Sequence, residues 1–256
     1  MRNVIAIAQK ELRSYFASPI AYIIIGLFAL LYGYFFVVML NYFLRASLNM
    51  GQFGAQQQAM NINQDMLRPV LQNVTVLLLF VLPAMTMRTY AEERRSGTIE
   101  LLLTSPLTDL QIVLGKFLGA LTLYTVMLAV TLIHIGVLFL YGNPEWKPVM
   151  TSYLGLMLLG GSFLSVGLFI STLTTNQIVA YIVTFATFLM LWIISWIGTF
   201  SSGVFTDVTA YLSVIEHFDD FSKGIIDTTH VVYYLSLITF GLFLTAKSVD
   251  TERWRG

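Results

Sequence analysis

Between Arg88 and Pro106 the chain reads RTYAEERRSGTIELLLTSP, an island of charge set between long apolar runs. Glu92, Glu93, Arg94 and Arg95 sit beside a Gly97-Thr98-Ile-Glu100 step and the leucines Leu101, Leu102 and Leu103. Carboxylates and guanidiniums in this density supply ion pairs and charge-assisted hydrogen bonds. The leucines form an apolar knob between the charged flanks, a shape suited to a groove on a partner protein. The plainer alternative is a solvated loop, because runs of charge usually face water.

Other chemistry is poorly provided for. A phosphate-binding Walker loop needs G-x-x-x-x-G-K-[ST], and the single Gly-Lys pair, Gly115-Lys116, has Leu110 in place of the first glycine and Phe117 in place of the hydroxyl residue. There is no HExxH, no GxSxG and no inward-facing carboxylate pair, so no enzyme activity is expected of this chain and no cofactor. Zero cysteines exclude disulfides and thiolate metal sites. His134 lies in the middle of an apolar run, where an ionisable residue is a functional candidate by default. It has no second histidine or carboxylate at that depth, so a hydrogen bond across helices is the expectation. Glu216, His217, Asp219 and Asp220 could bind a metal only with help from elsewhere, since neighbours on one solvated helix face do not converge on an ion.

The elements that must carry these residues are membrane helices. Hydrophobic residues make up 57% of the chain, charged residues 11%, and the mean hydropathy is +0.76, the composition of an integral membrane protein. A hydrocarbon core about 30 Å thick is crossed by about 20 apolar helical residues. Charge-free intervals run over Ser14 to Leu44, Pro69 to Met87, Phe117 to Pro144, Pro148 to Thr206 and Thr228 to Ala246. The fourth is too long for one span and divides at the polar patch STLTTNQ, Ser171 to Gln177. Six spans result, roughly 20–44, 69–88, 110–141, 149–171, 178–200 and 229–247. With both termini inside, the inner side holds ten lysines and arginines, Arg255 among them, and the outer side four. The positive-inside rule therefore puts the termini in the cytosol. The start, MRNVIAIAQKELRSYF, interrupts its apolar character with Lys10, Glu11 and Arg13 and is not a cleavable signal.

Residues 1–18 are predicted to form an amphipathic helix along the inner membrane surface, with Ile5, Ala8, Leu12 and Tyr15 on its apolar face. The second span is expected to continue as a helix through Arg88 to Arg95 and to stop at Gly97. Thr98 can cap a short helix IELLL, with Glu100 in its first turn. Pro106 breaks the chain, and Thr108-Asp-Leu-Gln111 has the spacing of a capping box at the head of the third span. Gly115-x-x-x-Gly119 and Gly160-Gly161-Ser162 allow close helix approach. Tyr15, Tyr22, Tyr141 and Trp146 fall where interfacial aromatics are expected. Outside, residues 45–68, rich in Gln and Asn with Gly51 and Gly54, read as a flexible loop. Residues 201–228 read as one or two short amphipathic helices, with Val208, Tyr211, Leu212, Ile215 and Phe218 on the apolar face.

EERRSGTIELLLTSPLTDLQIVLGK, Glu92 to Lys116, resembles the first cytosolic loop of the type 2 ABC exporter permease family: an acidic pair, a basic residue, Gly-Thr-x-Glu, leucines and a proline before the next span. QKELRSYFASPIAYI at Gln9 to Ile23 and the C-terminal stretch ending in ERWR at Glu252 to Arg255 resemble its gliding-motility-associated branch, related to permeases for multicopper-enzyme maturation. The resemblance implies one permease domain over residues 1–256 in a bacterial inner membrane. It implies six spans per subunit, two identical or related subunits side by side, and a separate nucleotide-binding ATPase, with its ATP and Mg, below each. An auxiliary membrane or periplasmic subunit is a further partner, and nucleic acid is not. Residues 88–109 become the coupling loop. Glu92 and Glu93 match the acidic pair, Arg94 the basic position, Gly97, Thr98 and Glu100 the Gly-Thr-x-Glu, Leu101 and Leu102 the leucines, and Pro106 the proline. Lys10, Glu11 and Arg13 belong to the interface helix that shares the docking surface, and the external segment places re-entrant helices before the last span. A membrane scaffold or force-transmitting subunit of a gliding-type or envelope complex would need the same loop and stands as the alternative. A stand-alone secondary transporter would show internal repeats and midplane charges, which are not found.

Overall fold

Hydrophobic length dictates the architecture, and the computed structural model of the chain, which describes residues 2–52, 60–199 and 204–253, realises it almost entirely in helix. Six of its helices are long and apolar enough to cross a membrane. Helix α1 is Arg2–Ala17, and Pro19, at the first position a helix tolerates a proline, opens α2, Pro19–Gln52. A six-residue π-helical turn, Ile62–Leu67, leads into α3, Arg68–Thr86. Two short helices follow, α4, Ala91–Ser96, and α5, Thr98–Leu103. The remaining long helices are α6, Asp109–Tyr141, α7, Trp146–Thr172, α8, Gln177–Thr199, and α11, Thr228–Arg253. The short α9, Val204–Leu212, and α10, Val214–Ser222, precede α11. Helices α2 and α6, at 34 and 33 residues, are about 50 Å long and must project beyond the hydrocarbon layer.

Helix α7 is the centre of the bundle, and its small residues explain why. A Cβ on Gly160 would lie 2.3 Å from the Tyr124 ring of α6, one on Gly167 2.4 Å from the Thr86 hydroxyl of α3, and one on Gly155 2.7 Å from Phe221 of α10. From the other side, Gly241 of α11 sits against Ser165 of α7. Backbones therefore approach closely on several faces at once, which in lipid is the main source of helix association. The Gly160-Gly161-Ser162 cluster serves packing, with Ser162 reaching the Tyr234 carbonyl of α11.

Several expectations need correcting. The second span reaches Ser96 but not as one unbroken α-helix: α3 stops at Thr86, and a turn through Met87–Tyr90 leads into α4. Part of the loop read as flexible is ordered, because Asn61 caps the π-helical turn and Met66 and Leu67 are buried; Gly54 lies outside the described residues. His134 makes no cross-helix hydrogen bond at Nδ1. It packs edge-on against Tyr32 and Phe36 of α2, in the space left by Gly33. Tyr15 is tucked inward and donates to the Met85 carbonyl at 3.1 Å, and burial pushes its hydroxyl up to about 12.

Candidate functional site

The charged island is built around a left-handed glycine. Gly97 at φ 71° caps the end of α4 and turns directly into α5, a conformation glycine adopts without a side-chain clash. The stop at Gly97 is as the sequence predicts; the cap at Thr98 is not. Thr98 is the first residue of α5, and its hydroxyl meets Ser96 Oγ at 2.9 Å instead of capping the helix. At the far side the capping box is present, with Thr108 Oγ1 accepting from the Gln111 amide and the Gln111 side chain accepting from Thr108 N–H.

The break between α3 and α4 exposes backbone groups that a continuous helix would satisfy, and α7 satisfies them. Ser171 Oγ accepts from Tyr90 N–H at 3.1 Å and Ala91 N–H at 3.2 Å, and donates to the Met87 carbonyl. A serine at the end of one span thus does the work of an N-cap for another.

Four further tethers hold the elbow. Lys116, seven residues into α6, is buried to 1% exposure. Its ammonium donates to Glu93 Oε1 at 2.8 Å, Glu11 Oε1 at 3.0 Å and the Thr89 carbonyl at 3.0 Å, and lies 5.0 Å from the Tyr90 ring centroid. Three acceptors for three ammonium hydrogens satisfy the charge completely. Lys10 adds a longer contact to Glu93 at 3.5 Å. Arg94 forks onto both Glu252 oxygens of α11, at 2.7 and 2.9 Å, and also donates to the Thr172 carbonyl of α7. Arg253 of α11 reaches Asp109 at 2.9 Å and the Leu107 carbonyl at 3.1 Å. Both flanks of α5 are therefore pinned by the end of α11, while α1 and α6 hold α4 from beneath. Trp254 and Arg255 lie outside the described residues.

Helix α1 reaches this position by lying lengthwise on α6. Asn3 bonds Gln111, Ile7 fills the space over Gly115, and Glu11 and the Ala8 carbonyl lie over Gly119. The numbers advance together along both helices, so the two run in the same direction for about two turns. The residues that pack are Val4, Ile7, Ala8, Glu11, Leu12 and Tyr15; of the predicted apolar face only Ile5 is exposed.

The sequence-predicted site residues divide accordingly. Glu93, Arg94, Glu11 and Lys10 come together in the tethers. Glu92 is half-exposed and reaches Arg88 at 3.5 Å. Glu100, Leu101 and Pro106 face outward, Leu102 is half-buried, and Arg13 is exposed on the other side of α1. Lys116, Ser171, Glu252 and Arg253 were not singled out. A lysine inside VLGKFLG was the available signal, since a charge in an apolar run between two glycines needs a buried partner.

At the opposite end of the bundle the predicted stripe holds on α10 at Phe218, which is buried, and Ile215, which is half-buried, and the buried face extends to residues not predicted. Val214, His217, Phe218 and Phe221 are buried, whereas Val208, Tyr211 and Leu212 of α9 are exposed. Asp219 accepts from Arg68 at 2.5 Å, Gln72 at 3.0 Å and Lys223 at 2.7 Å. Burial alone would raise its carboxyl, but Lys223 and Arg68 outweigh that and hold it below the ordinary range. Asp220 is held low by Lys223 and His230. Among the described residues no group of three or more potential ligands is arranged to hold a metal.

Six membrane-length helices, the glycine-rich α7 at their centre, with a tethered charged elbow at one pole, make up a multi-pass membrane protein. The chain belongs to the ABC-2 family transporter proteins, whose family model matches residues 5–246. It is 31% identical over 137 residues to a probable multidrug ABC transporter permease, YbhR, of Escherichia coli K12, and equally to its counterpart in Escherichia coli O157:H7. The matched stretch covers 53% of this chain and 37% of those relatives. Permeases of this family are not themselves enzymes.

Proposed function

We propose that this chain is the membrane subunit of an ATP-driven exporter, in which α4 and α5 receive the movement of a separate nucleotide-hydrolysing subunit and pass it to the spans. One observation carries the reading: α5 exposes Glu100 and Leu101 at its tip while both of its flanks are tied to α6 and α11 by Lys116, Arg94 and Arg253. An exposed contact surface on a rigid mount transmits displacement; the same surface on a loose loop would absorb it. Family membership supports an ATPase partner, and the ten-to-four bias of lysine and arginine supports a cytosolic elbow in a bacterial inner membrane. The two glutamates of the acidic pair then differ in role. Glu92 faces the partner, and Glu93 braces the elbow through Lys116.

The segments at Gln9 to Ile23 and toward Glu252 favour the gliding-associated branch, in which ATPase movement drives either export or force transmission. The test is co-purification of the chain with the ATPase encoded in its host, with Leu101→Cys cross-linked to cysteines in the ATPase cleft. Formation of the cross-link, and loss of coupled activity in the Glu92→Ala, Glu93→Ala double variant, are expected. An ATPase that never associates, or a double variant with full coupled activity, overturns the reading.

A further inference from the structure

At the pole opposite the elbow, two of the chain's three histidines meet ring to ring. His217 of α10 is 4% exposed, and its Nδ1 lies 2.6 Å from Nδ1 of His230 on α11. His217 Nε2 is 2.9 Å from the Tyr211 carbonyl, and His230 Nε2 is 3.0 Å from Asp220 Oδ2. The proton positions follow from the partners. A carbonyl only accepts, so His217 Nε2 carries hydrogen; in a neutral ring this leaves its Nδ1 bare. A bare Nδ1 only accepts, so His230 Nδ1 carries hydrogen. Asp220, ionised beside Lys223 at 2.9 Å, also only accepts, so His230 Nε2 carries hydrogen as well. The pair thus holds one proton more than two neutral imidazoles.

We propose that His217, His230 and Asp220 form a proton-binding site that fastens α10 to α11 while that single extra proton is present. Removing it sets a lone pair against a lone pair at 2.6 Å, which parts the rings, or a lone pair against the Asp220 carboxylate at 3.0 Å, which breaks the other contact between α10 and α11. Adding a second proton opposes two charged rings; burial first, and the neighbouring His230 charge after it, hold His217 below the ordinary histidine range. The groups that face the pair leave it as the responsive element. Asp219 is engaged by Arg68 of α3 and by Lys223. Glu216 is exposed on α10, and Asp227 accepts from Thr229 N–H in the α10–α11 connection. Tyr211 of α9 lies edge-on to His217, and Tyr233 of α11 stacks on it at 3.8 Å. Tyr234 of α11 is committed to the Val214 carbonyl. The site lies far from the elbow, so it responds to the medium on its own side of the membrane and stands independently of the ATPase reading.

The decisive experiment is nitrogen-15 imidazole NMR of the full chain in detergent, with His134 as the third, internal reference signal. Near neutral pH, the His230 signals of a doubly protonated ring and the His217 signals of a ring protonated at Nε2 alone are expected, with loss of the His230 pattern on raising pH. In parallel, nitroxides at Glu216→Cys and Thr228→Cys should give one narrow distance at neutral pH and a broadened distribution in alkali. His230→Phe should abolish that pH response. Two neutral rings at neutral pH, a distance indifferent to pH in the native chain, or a contact that forms only on adding zinc, each overturns the proposal. The native-chain spectra decide the matter even where a variant fails to fold.

Discussion

Replacing Lys116 with methionine tests the bracing of the elbow at its least exposed point. The substitution nearly keeps the side-chain length and removes the buried charge, which leaves the Glu11 and Glu93 carboxylates, at 3.0 and 2.8 Å from the former ammonium, facing only the exposed Lys10 ammonium at 3.7 and 3.5 Å. Breaking a buried ion pair by deleting one partner costs about 3–5 kcal/mol. At about 2–4 °C per kcal/mol for a chain of this size, the melting temperature in detergent should fall by about 6–20 °C. Stability alone would not separate a fold role from a coupling role, so a second variant is needed. Replacing the whole cluster, Glu11→Leu, Glu93→Met and Lys116→Met together, removes every uncompensated charge and should recover most of the loss, because apolar replacements of complete buried clusters are often neutral. If the brace matters for transmission, this repaired variant will still bind the ATPase yet fail to couple hydrolysis to activity. A Lys116→Met protein that melts within about 1 °C of the native one, against the 2–4 °C expected per kcal/mol, would refute the assignment of Lys116 as the keystone. So would a repaired triple variant with native coupling.

Further outcomes follow from the same contacts. Gly119→Leu should drive α1 from its seat, since even a Cβ there would lie 2.8 Å from Glu11 and 3.2 Å from the Ala8 carbonyl; a cost of about 1–3 kcal/mol, read by thermal melting, is expected with faster proteolysis within α1. Arg94→Ala should free α4 from α11 and α7, seen as faster hydrogen exchange at residues 91–103 with little change elsewhere. Asp219 and Asp220, held below the ordinary carboxyl value of 3.8, stabilise the folded state above that value. Their contribution is lost as pH falls below about 4 through the depressed folded values, and Asp219→Asn should flatten that part of an acid denaturation curve. Because the chain has no cysteine, single cysteines at Leu101 and Glu216 can be labelled in intact cells; labelling from opposite sides of the membrane is expected, and labelling of both from outside would reverse the topology.

Sequence gave access to whatever is periodic or local. The spans follow from the length of charge-free runs, and predicted 110–141 and 149–171 match α6 and α7 to within a turn. The Thr108–Gln111 box and the Gly97 stop depend on neighbours within four residues, so their chemistry is written in order along the chain. Lys116 pairs with Glu11 across 105 residues and Arg94 with Glu252 across 158, and periodicity tells which residues share a face without telling which faces meet. The Met87–Tyr90 turn escaped notice for a related reason, since its support is Ser171 of another helix. In α10, the apolar stripe inferred from spacing ignored His217, which is buried because His230 and the Tyr211 carbonyl satisfy both of its nitrogens.

Helix α11 touches both poles: His230 lies in its first turn and Glu252 and Arg253 in its last. Its 26 residues make a rod about 39 Å long. Along the seam with α7, Gly241 lies on Ser165 and Ile238 on Gly161, and Ser162 and Ser165 donate to the Tyr234 and Leu237 carbonyls. Such a rod is one continuous piece between the two membrane faces, with Glu252 at one end and His230 at the other.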